Sequence, residues 1–185
     1  MNYNEIIQET AREHLIPLGV FQKGRSRCFI DDNGWFFTVI EFQPSVGTGT
    51  YPNVAMHFLW NSPLREYLSF DYAVNGSRVK GLLVYENEHQ FRSAFSEYVD
   101  EAEKHILFYR SLRDREAAIA YAKKMTKRRI FTTYPHGSEI WAEFINLSEN
   151  SFNANVAAAR QYWSSKPSMK NMRLNESQSE QMRVF

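Results

Sequence analysis

Residues 25–43 read RSRCFIDDNGWFFTVIEFQ, and this stretch decides the fold. Two runs that favour strands, 25–31 and 35–43, flank a break that contains Asn33-Gly34. An Asn-Gly pair between such runs is the strongest short-range signal for a β-hairpin, because a type I′ turn needs a positive φ at both central residues. The stretch therefore predicts an antiparallel hairpin that turns at this pair.

Three more strands are predicted downstream. Residues 54–60 alternate between two faces, and a second hairpin is predicted from 67–74 and 78–85, joined by a turn at Asn75-Gly76. Together with the first hairpin, these strands predict a five-stranded antiparallel β-meander.

Helical patterns lie on both sides of the strands. The first helix would be capped by Asn2 or Asn4 and would end at Pro17 and Gly19. After the strands, apolar residues recur with the 3.6-residue period of a helix. This pattern predicts helices at about 91–109, at 114–127, after a Ser138 cap, and at about 151–164. Residues 130–134 fit either a sixth strand or a continuation of the preceding helix. The fold class is thus α+β: an N-terminal helix, the five-stranded meander, and three to four C-terminal helices.

One domain is predicted for residues 1–165. The chain has 185 residues, a length at which most apolar surface can be buried without disulfides or metals. Aromatic residues make up 15% of the chain, and most of them are expected to fill the core. Residues 166–185 are rich in Ser, Asn, Gln and Met and predict a flexible C-terminal tail.

Charge and cysteine content exclude several classes of protein. A net charge of +1 argues against proteins that act through a strong overall field, such as acidic DNA mimics or highly basic nucleic-acid binders. Cys28 is the only cysteine, so neither an intrachain disulfide nor a Cys-based zinc site can form. The polar N-terminus does not read as a signal peptide, and no apolar run reaches membrane-spanning length. We therefore expect a cytoplasmic protein without a membrane partner.

No catalytic motif is present. The sequence contains no P-loop, no G-x-G-x-x-G and no G-x-S-x-G elbow. Cys28 alternates with Arg27 and Phe29 and is predicted to be a buried structural thiol. His57 is predicted to be a half-buried packing residue. Asp31 and Asp32, the neighbouring carboxylates at the first turn, are predicted to shape that turn and not to be catalytic.

One histidine has a carboxylate at helical spacing. His105 lies four residues after Glu101, which suits a metal pair or an ordinary surface contact. A catalytic metal needs about three ligands, and no third is indicated, so the ordinary contact is favoured. We expect no cofactor and no metal, and we lean against an enzyme.

A basic cluster stands out near the middle of the helical half. It consists of Lys123, Lys124, Lys127, Arg128 and Arg129, without an acidic residue among them. The favoured interpretation is a solvated helix C-terminus. The alternative is a patch that binds phosphate, nucleic acid or an acidic partner.

The first third of the chain resembles a family of uncharacterised bacterial domains, domain of unknown function 4304. The resemblance covers about residues 5–60. It is carried by Gly19-Val20-Phe21, Lys23-Gly24-Arg25, Phe29, Phe42, Gln43 and Ser45, with Pro44 interrupting the family's Gln-Ser pair. It implies a helix followed by strands. It also implies kinship with accessory proteins of bacterial toxin systems, many of them suspected immunity factors.

The leading functional hypothesis is a non-enzymatic accessory factor of the immunity or antitoxin type that occludes a protein partner. With a near-neutral chain, such a partner would be recognised by shape and aromatic anchors. The first alternative is a nucleic-acid or phosphate binder that uses the basic cluster. The second is an enzyme whose site is assembled from scattered residues.

Overall fold

The structure is a computed structural model that describes residues 2–61, 68, 74–127, 137–170 and 172. The helices are α1 (Tyr3–Leu15), α2 (Glu88–Arg110), α3 (Arg115–Lys127), α4 (Gly137–Asn146) and α5 (Glu149–Ser164). The strands are β1 (Phe21–Gln22), β2 (Cys28–Asp32), β3 (Phe36–Pro44), β4 (Gly49–Phe58), β5 (Val74–Arg78) and β6 (Leu83–Val84). Short 3-10 helices cover Ile16–Leu18 and Pro167–Met169. This order confirms the predicted α+β fold, with one helix before the strands and four after them.

The strands form an antiparallel sheet in the order β1-β2-β3-β4-β5, which is a meander. The short strand β6 pairs with the same edge of β4 as β5 does, but nearer its start, where Gly49 faces Val84. Within the described residues, the sheet therefore has five strand positions, and the fifth is shared by two short strands. The strand β1 was not predicted.

The first turn lies one residue later than predicted. The Asn33 N–H donates to Phe36 O (3.0 Å), which puts Gly34 and Trp35 at the centre of the turn. Gly34 has φ of +86°, as expected for a glycine at a turn's first central position. The turn centred on Asn33-Gly34 is thus wrong by one position, because Asn33 is used as a buried hydrogen-bonding residue.

The second predicted turn is wrong. Asn75-Gly76 lies inside β5, where Val74 pairs with Met56 and Ser77 pairs with Val54. Two residues of β5 therefore stand opposite one residue of β4, which is the count of a β-bulge. The pair bends β5 here instead of reversing the chain. The predicted strand 67–74 falls almost wholly outside the described residues, as do residues 130–134.

The helix ends follow local capping chemistry. Asn2 caps α1 in a capping box with Glu5, and Asp114 Oδ1 accepts the Ala117 N–H (2.8 Å) at the start of α3. Helix α4 already begins at Gly137, so the predicted Ser138 cap is wrong. Ser148 caps α5, which begins at Glu149, two residues before the predicted start.

Helices cover both faces of the sheet. On one face Phe42 packs on Phe95 of α2 (ring centroids 4.8 Å apart) and Phe58 packs on Trp141 of α4 (4.9 Å). On the other face the His57 ring meets Trp163 of α5 (6.0 Å). Consequently every residue of β2 is buried, and most of the described aromatic rings lie in the core.

The folded part continues past the domain boundary predicted at residue 165. Met169 is 1% exposed, and the Gly24 N–H donates to Ser168 O (3.0 Å). In the described part of the chain, no helix combines the length and the apolar character that a membrane span requires.

Candidate binding surface

The two carboxylates before the first turn face opposite sides of β2. Asp31 accepts hydrogen bonds from Arg110 Nε (3.0 Å) and Nη2 (2.6 Å) at the end of α2. Asp32 accepts them from Arg160 Nη1 (2.8 Å) and Nη2 (2.7 Å) on α5. Both carboxylates are buried, and Asp32 also accepts the Gly34 N–H. They anchor two helices to the hairpin in addition to shaping the turn.

Asn33 completes this polar network. Its Nδ2 donates to Asp31 O (3.0 Å), Asp31 Oδ2 (3.1 Å) and Thr38 Oγ1 (2.9 Å). Its Oδ1 accepts from Arg113 Nε (2.6 Å). Burial lowers the pKa of Arg113, and the negative charge of Asp31 opposes that shift. Every polar atom of the Asn33 side chain thus has a partner, as a structural polar residue in a core requires.

Cys28 is a buried thiol, as predicted. Burial raises its pKa to about 12, so it is not a thiolate at neutral pH. Since the thiolate is the nucleophilic form, Cys28 is unsuited to catalysis in this environment.

His57 is fully buried, where the sequence predicted a half-buried residue. Among the described residues, neither ring nitrogen has a hydrogen-bond partner. Burial lowers the pKa of His57 to about 4, and the charge of Lys23 adds to the effect. A neutral histidine without partners is a packing residue that carries an energetic cost.

Cys28 and His57 cannot form a catalytic pair. Cys28 stands opposite Glu41, and Glu41 stands opposite Asn53 on β4. His57 is two strands away from Cys28 and four residues farther along, a displacement of about 13 Å along the strands.

The Glu101 and His105 pair is an ordinary surface feature. Glu101 Oε2 accepts from Lys104 Nζ (2.6 Å), and this hydrogen bond lowers the pKa of Glu101. Partial burial lowers the pKa of His105. Among the described residues, no three potential ligands lie close enough to hold a metal ion.

The structure describes part of the basic cluster. Lys123 and Lys124 are exposed on α3, and Lys127 is the last residue of that helix. Arg128 and Arg129 lie outside the described residues. Whether the cluster binds a partner is not tested by this placement and stays a prediction.

Exposed apolar side chains gather at the two ends of the sheet. One group, at the β3–β4 turn and β6, consists of Val46, Leu82 and Val84. The other group, at the end of the first hairpin, consists of Ile16, Leu107 and Phe108. Strand β3, with nine residues, separates these ends by about 30 Å.

Contacts between α1 and α2 show how the second group is assembled. His14 Nδ1 lies 3.3 Å from Asp100 Oδ1, and Arg110 Nη2 donates to Leu18 O (2.6 Å). The two helices therefore run side by side in the same direction, and α2 ends at the first hairpin.

Ile16, in the 3-10 helix that follows α1, lies between these two contacts along the chain. On α2, Leu107 lies between the same two contacts. It comes seven residues after Asp100 and three before Arg110, and this spacing places the three residues on one face of the helix. Ile16 and Leu107 consequently flank the same stretch of the seam between the helices, and Phe108 follows directly.

Phe108 connects this seam to α3. Its ring lies 5.6 Å from that of Tyr121, edge to face, and Tyr121 packs in turn on Trp141 (5.5 Å). Lys124 lies three residues after Tyr121, a spacing that makes them neighbours on the helix surface. We call Ile16, Leu107, Phe108, Tyr121, Lys123 and Lys124 the hairpin-end surface.

The apolar part of this surface was not predicted from the sequence, although a signal was present. The buried residues of α2 follow one stripe, which is Phe91, Phe95, Val99, Ala102, Ile106 and Tyr109. Leu107 and Phe108 are large apolar residues off that stripe, and such residues mark a surface that the helix does not bury in its own fold.

Comparison with known proteins gives no relative. No protein-family model, curated protein or solved structure matches the chain. The resemblance to domain of unknown function 4304 therefore stays a prediction.

Proposed function

We propose that this chain is a non-enzymatic binding protein of the immunity or accessory type, which occludes a protein partner with its hairpin-end surface. The observation that carries the proposal is the exposure of Ile16 (50%), Leu107 (52%) and Phe108 (45%) at one end of a fold that buries most of its large apolar side chains. Contiguous exposed apolar side chains with a polar rim are typical of protein-binding sites.

The energetics fit a partner of protein size. Full burial of a large apolar side chain is worth about 1.5–3 kcal/mol, so completing the burial of three half-exposed ones gives about 2–4 kcal/mol. That is the contribution expected of an interface centre, around which a stable complex buries about 800 Å² per partner.

The hairpin-end surface is preorganised for binding. Phe108 projects from a helix of 23 residues whose end is fixed to the hairpin by the Arg110–Asp31 pair. A rigid platform loses little conformational entropy on association, which favours recognition by shape.

The groups with the largest pKa shifts support a non-enzymatic role. Burial raises the pKa of Cys28 and Tyr109 and lowers that of His57, so each group is held in its neutral form. Burial in the core is the largest cause of each shift, and charged neighbours such as Lys23 contribute less, whereas catalytic groups are usually tuned by a specific charged partner as well.

An affinity-capture experiment with matched variants tests the proposal. The immobilised chain should retain a protein partner in stoichiometric amount, and Leu107→Gln/Phe108→Gln should weaken that complex at least tenfold. Glutamine keeps helix propensity and removes the apolar surface. The control Val46→Gln/Leu82→Gln changes apolar residues at the opposite end and should alter affinity less than twofold. Equal retention by both double variants, or no stoichiometric partner, would contradict the proposal.

A second candidate is a nucleic-acid or phosphate binder. It is favoured by the exposure of Lys123 and Lys124 beside two aromatic rings, since base stacking and phosphate contacts use these residue types. Replacing Lys127, Arg128 and Arg129 with Ala should then weaken binding in a gel-shift assay. Unchanged affinity would remove this candidate.

A further inference from the structure

Charge is distributed unevenly along this nearly neutral chain. Residues 117–138 hold five of the 22 basic residues and none of the 21 acidic ones. The rest of the chain has 17 basic and 21 acidic residues, a net charge of −4. A molecule with a net charge of +1 therefore has one strongly positive segment set against a negative remainder.

The described part of that segment exposes its charge without neutralising it. Elsewhere on the surface, Lys80 pairs with Glu97 (3.3 Å) and Lys104 pairs with Glu101 (2.6 Å). Within the described residues, Lys123 and Lys124 have no such partner. Their positive charges are available to an external anion.

One of these lysines adjoins the apolar group. Lys124 neighbours Tyr121 on α3, and Tyr121 contacts the exposed ring of Phe108. One continuous surface thus combines unpaired positive charge with aliphatic and aromatic side chains.

From this juxtaposition we infer that the hairpin-end surface takes an acidic protein segment that carries apolar side chains. The inference rests on the proposed function and specifies its partner. Carboxylates of the segment meet Lys123 and Lys124, and its apolar side chains cover Leu107 and Phe108. Ile16 extends the apolar contact onto the end of α1.

A nucleic acid suits the surface less well. Ile16 and Leu107 are aliphatic and offer no face for base stacking, which leaves Phe108 as the one well-exposed ring of the surface. A nucleic-acid backbone also carries closely and regularly spaced charges that would extend over the negative remainder of the chain. A short acidic segment concentrates its charge at the lysines.

The two components of the surface have separate kinetic effects. Charges of an interface rim mainly accelerate association and make it dependent on salt, whereas buried apolar anchors mainly slow dissociation. Changing Lys124 should therefore lower the association rate, and changing Phe108 should raise the dissociation rate.

Fluorescence anisotropy with defined probes tests the inference on the full-length chain. The first probe is a 20-residue peptide of Glu and Asp with Leu and Phe at helical spacing. The second replaces its acids with Gln or Asn, the third replaces its Leu and Phe with Ser, and the fourth is single-stranded DNA of 20 nucleotides. We expect the first to bind at least tenfold more tightly than the others in low salt. Lys124→Glu should weaken it about fivefold or more, and Lys170→Glu, an equal charge change at another exposed lysine, less than twofold.

Three results would overturn the inference. They are failure of the first peptide to bind, equal binding of the acidic and amide peptides, or tighter binding of the DNA. If capture of a protein partner still depends on Leu107 and Phe108 while the acidic peptide fails, the proposed function stands and only its acidic partner is wrong. Loss of both would remove the proposed function as well.

Discussion

At the scale of single residues, two polar side chains of the core differ in whether their polar atoms have hydrogen-bond partners. Asn33 has a partner for each of its polar atoms and joins the hairpin to Arg113. In the described part of the chain, His57 has no hydrogen-bond partner, and its ring lies between Phe37 and Trp163. A buried polar group whose hydrogen bonds are all made stabilises a unique structure, whereas a buried polar group without hydrogen bonds lowers the stability of the fold.

We expect Asn33→Ala to lower the free energy of unfolding by about 2–3 kcal/mol, because the buried Thr38 hydroxyl, the Asp31 carboxylate and the half-buried Arg113 guanidinium each lose the hydrogen bond to Asn33. Urea denaturation followed by circular dichroism measures the loss. Asn146→Ala is the matched control, because Asn146 is exposed and makes one bond to Ala142 O. A loss no larger than that of the control would show that the network does not stabilise the turn.

His57 should make stability depend on pH. Its pKa is about 4 in the folded chain and 6.5 when exposed, so the unfolded state binds a proton first as the pH falls. Stability is therefore full above about pH 6.5 and declines toward pH 4, by on the order of 3 kcal/mol from this residue. Unfolding measured from pH 7.5 to 4.5 gives the slope.

Replacing His57 with Leu removes both the titration and the unpaired nitrogens. His57→Leu should flatten the slope between pH 6.5 and 4.5 and should raise stability at neutral pH. His89→Gln, at an exposed position, controls for the loss of a histidine and should leave the slope intact. An unchanged slope in His57→Leu would assign the pH dependence to other groups.

At the scale of elements, polar clamps fix two helices to the hairpin. Arg110 ties α2 to Asp31, and Arg160 ties α5 to Asp32 on the opposite face. Helix α5 gains a further bond from Asn155 Nδ2 to Trp60 O (3.0 Å). The first hairpin therefore orients helices on both faces of the sheet.

Asp32→Asn should destabilise the fold by about 3 kcal/mol, because it leaves the buried guanidinium of Arg160 without its carboxylate. Limited proteolysis should then cut α5 before the rest of the chain. Glu101→Gln breaks an exposed pair and should have a much smaller effect. Equal effects of the two substitutions would argue against the clamp.

The two Asn-Gly pairs show what the sequence could predict at this scale. Both were predicted as turns from the same local preference. Asn33-Gly34 lies at a chain reversal, whereas Asn75-Gly76 is absorbed into a bulge because β5 stays paired with β4 on both sides of it. Periodicity identified the helices well, since it records which face each one buries.

The hairpin-end surface could not be predicted from such local sequence patterns. Lys124 was identified as part of a charge cluster, yet its proximity to the Phe108–Tyr121 ring pair depends on how α2 and α3 meet. Ile16 and Leu107 flank the same stretch between α1 and α2 because the two helices run in parallel across the sheet. These relations are set by tertiary packing, which a one-dimensional pattern does not contain.

At the scale of the whole molecule, apolar exposure at the hairpin end should matter more for binding than for stability. Leu107→Gln/Phe108→Gln should cost about 1 kcal/mol of stability per residue, since each side chain is only half buried. Phe95→Ala, in the core, should cost about 3–5 kcal/mol. Thermal unfolding of the three proteins checks this ranking. Loss of the folded state in the double variant would show that Leu107 and Phe108 are needed for the structure itself.

The central claim is that a protein partner covers the hairpin-end surface, and site-specific photo-crosslinking tests it most directly. A photoreactive phenylalanine analogue is placed at Phe108 in one sample and at Leu82, at the opposite end, in another. We expect a crosslinked one-to-one complex with the captured partner from position 108 and none from position 82. Crosslinks from position 82 alone, or equally from both positions, would contradict it.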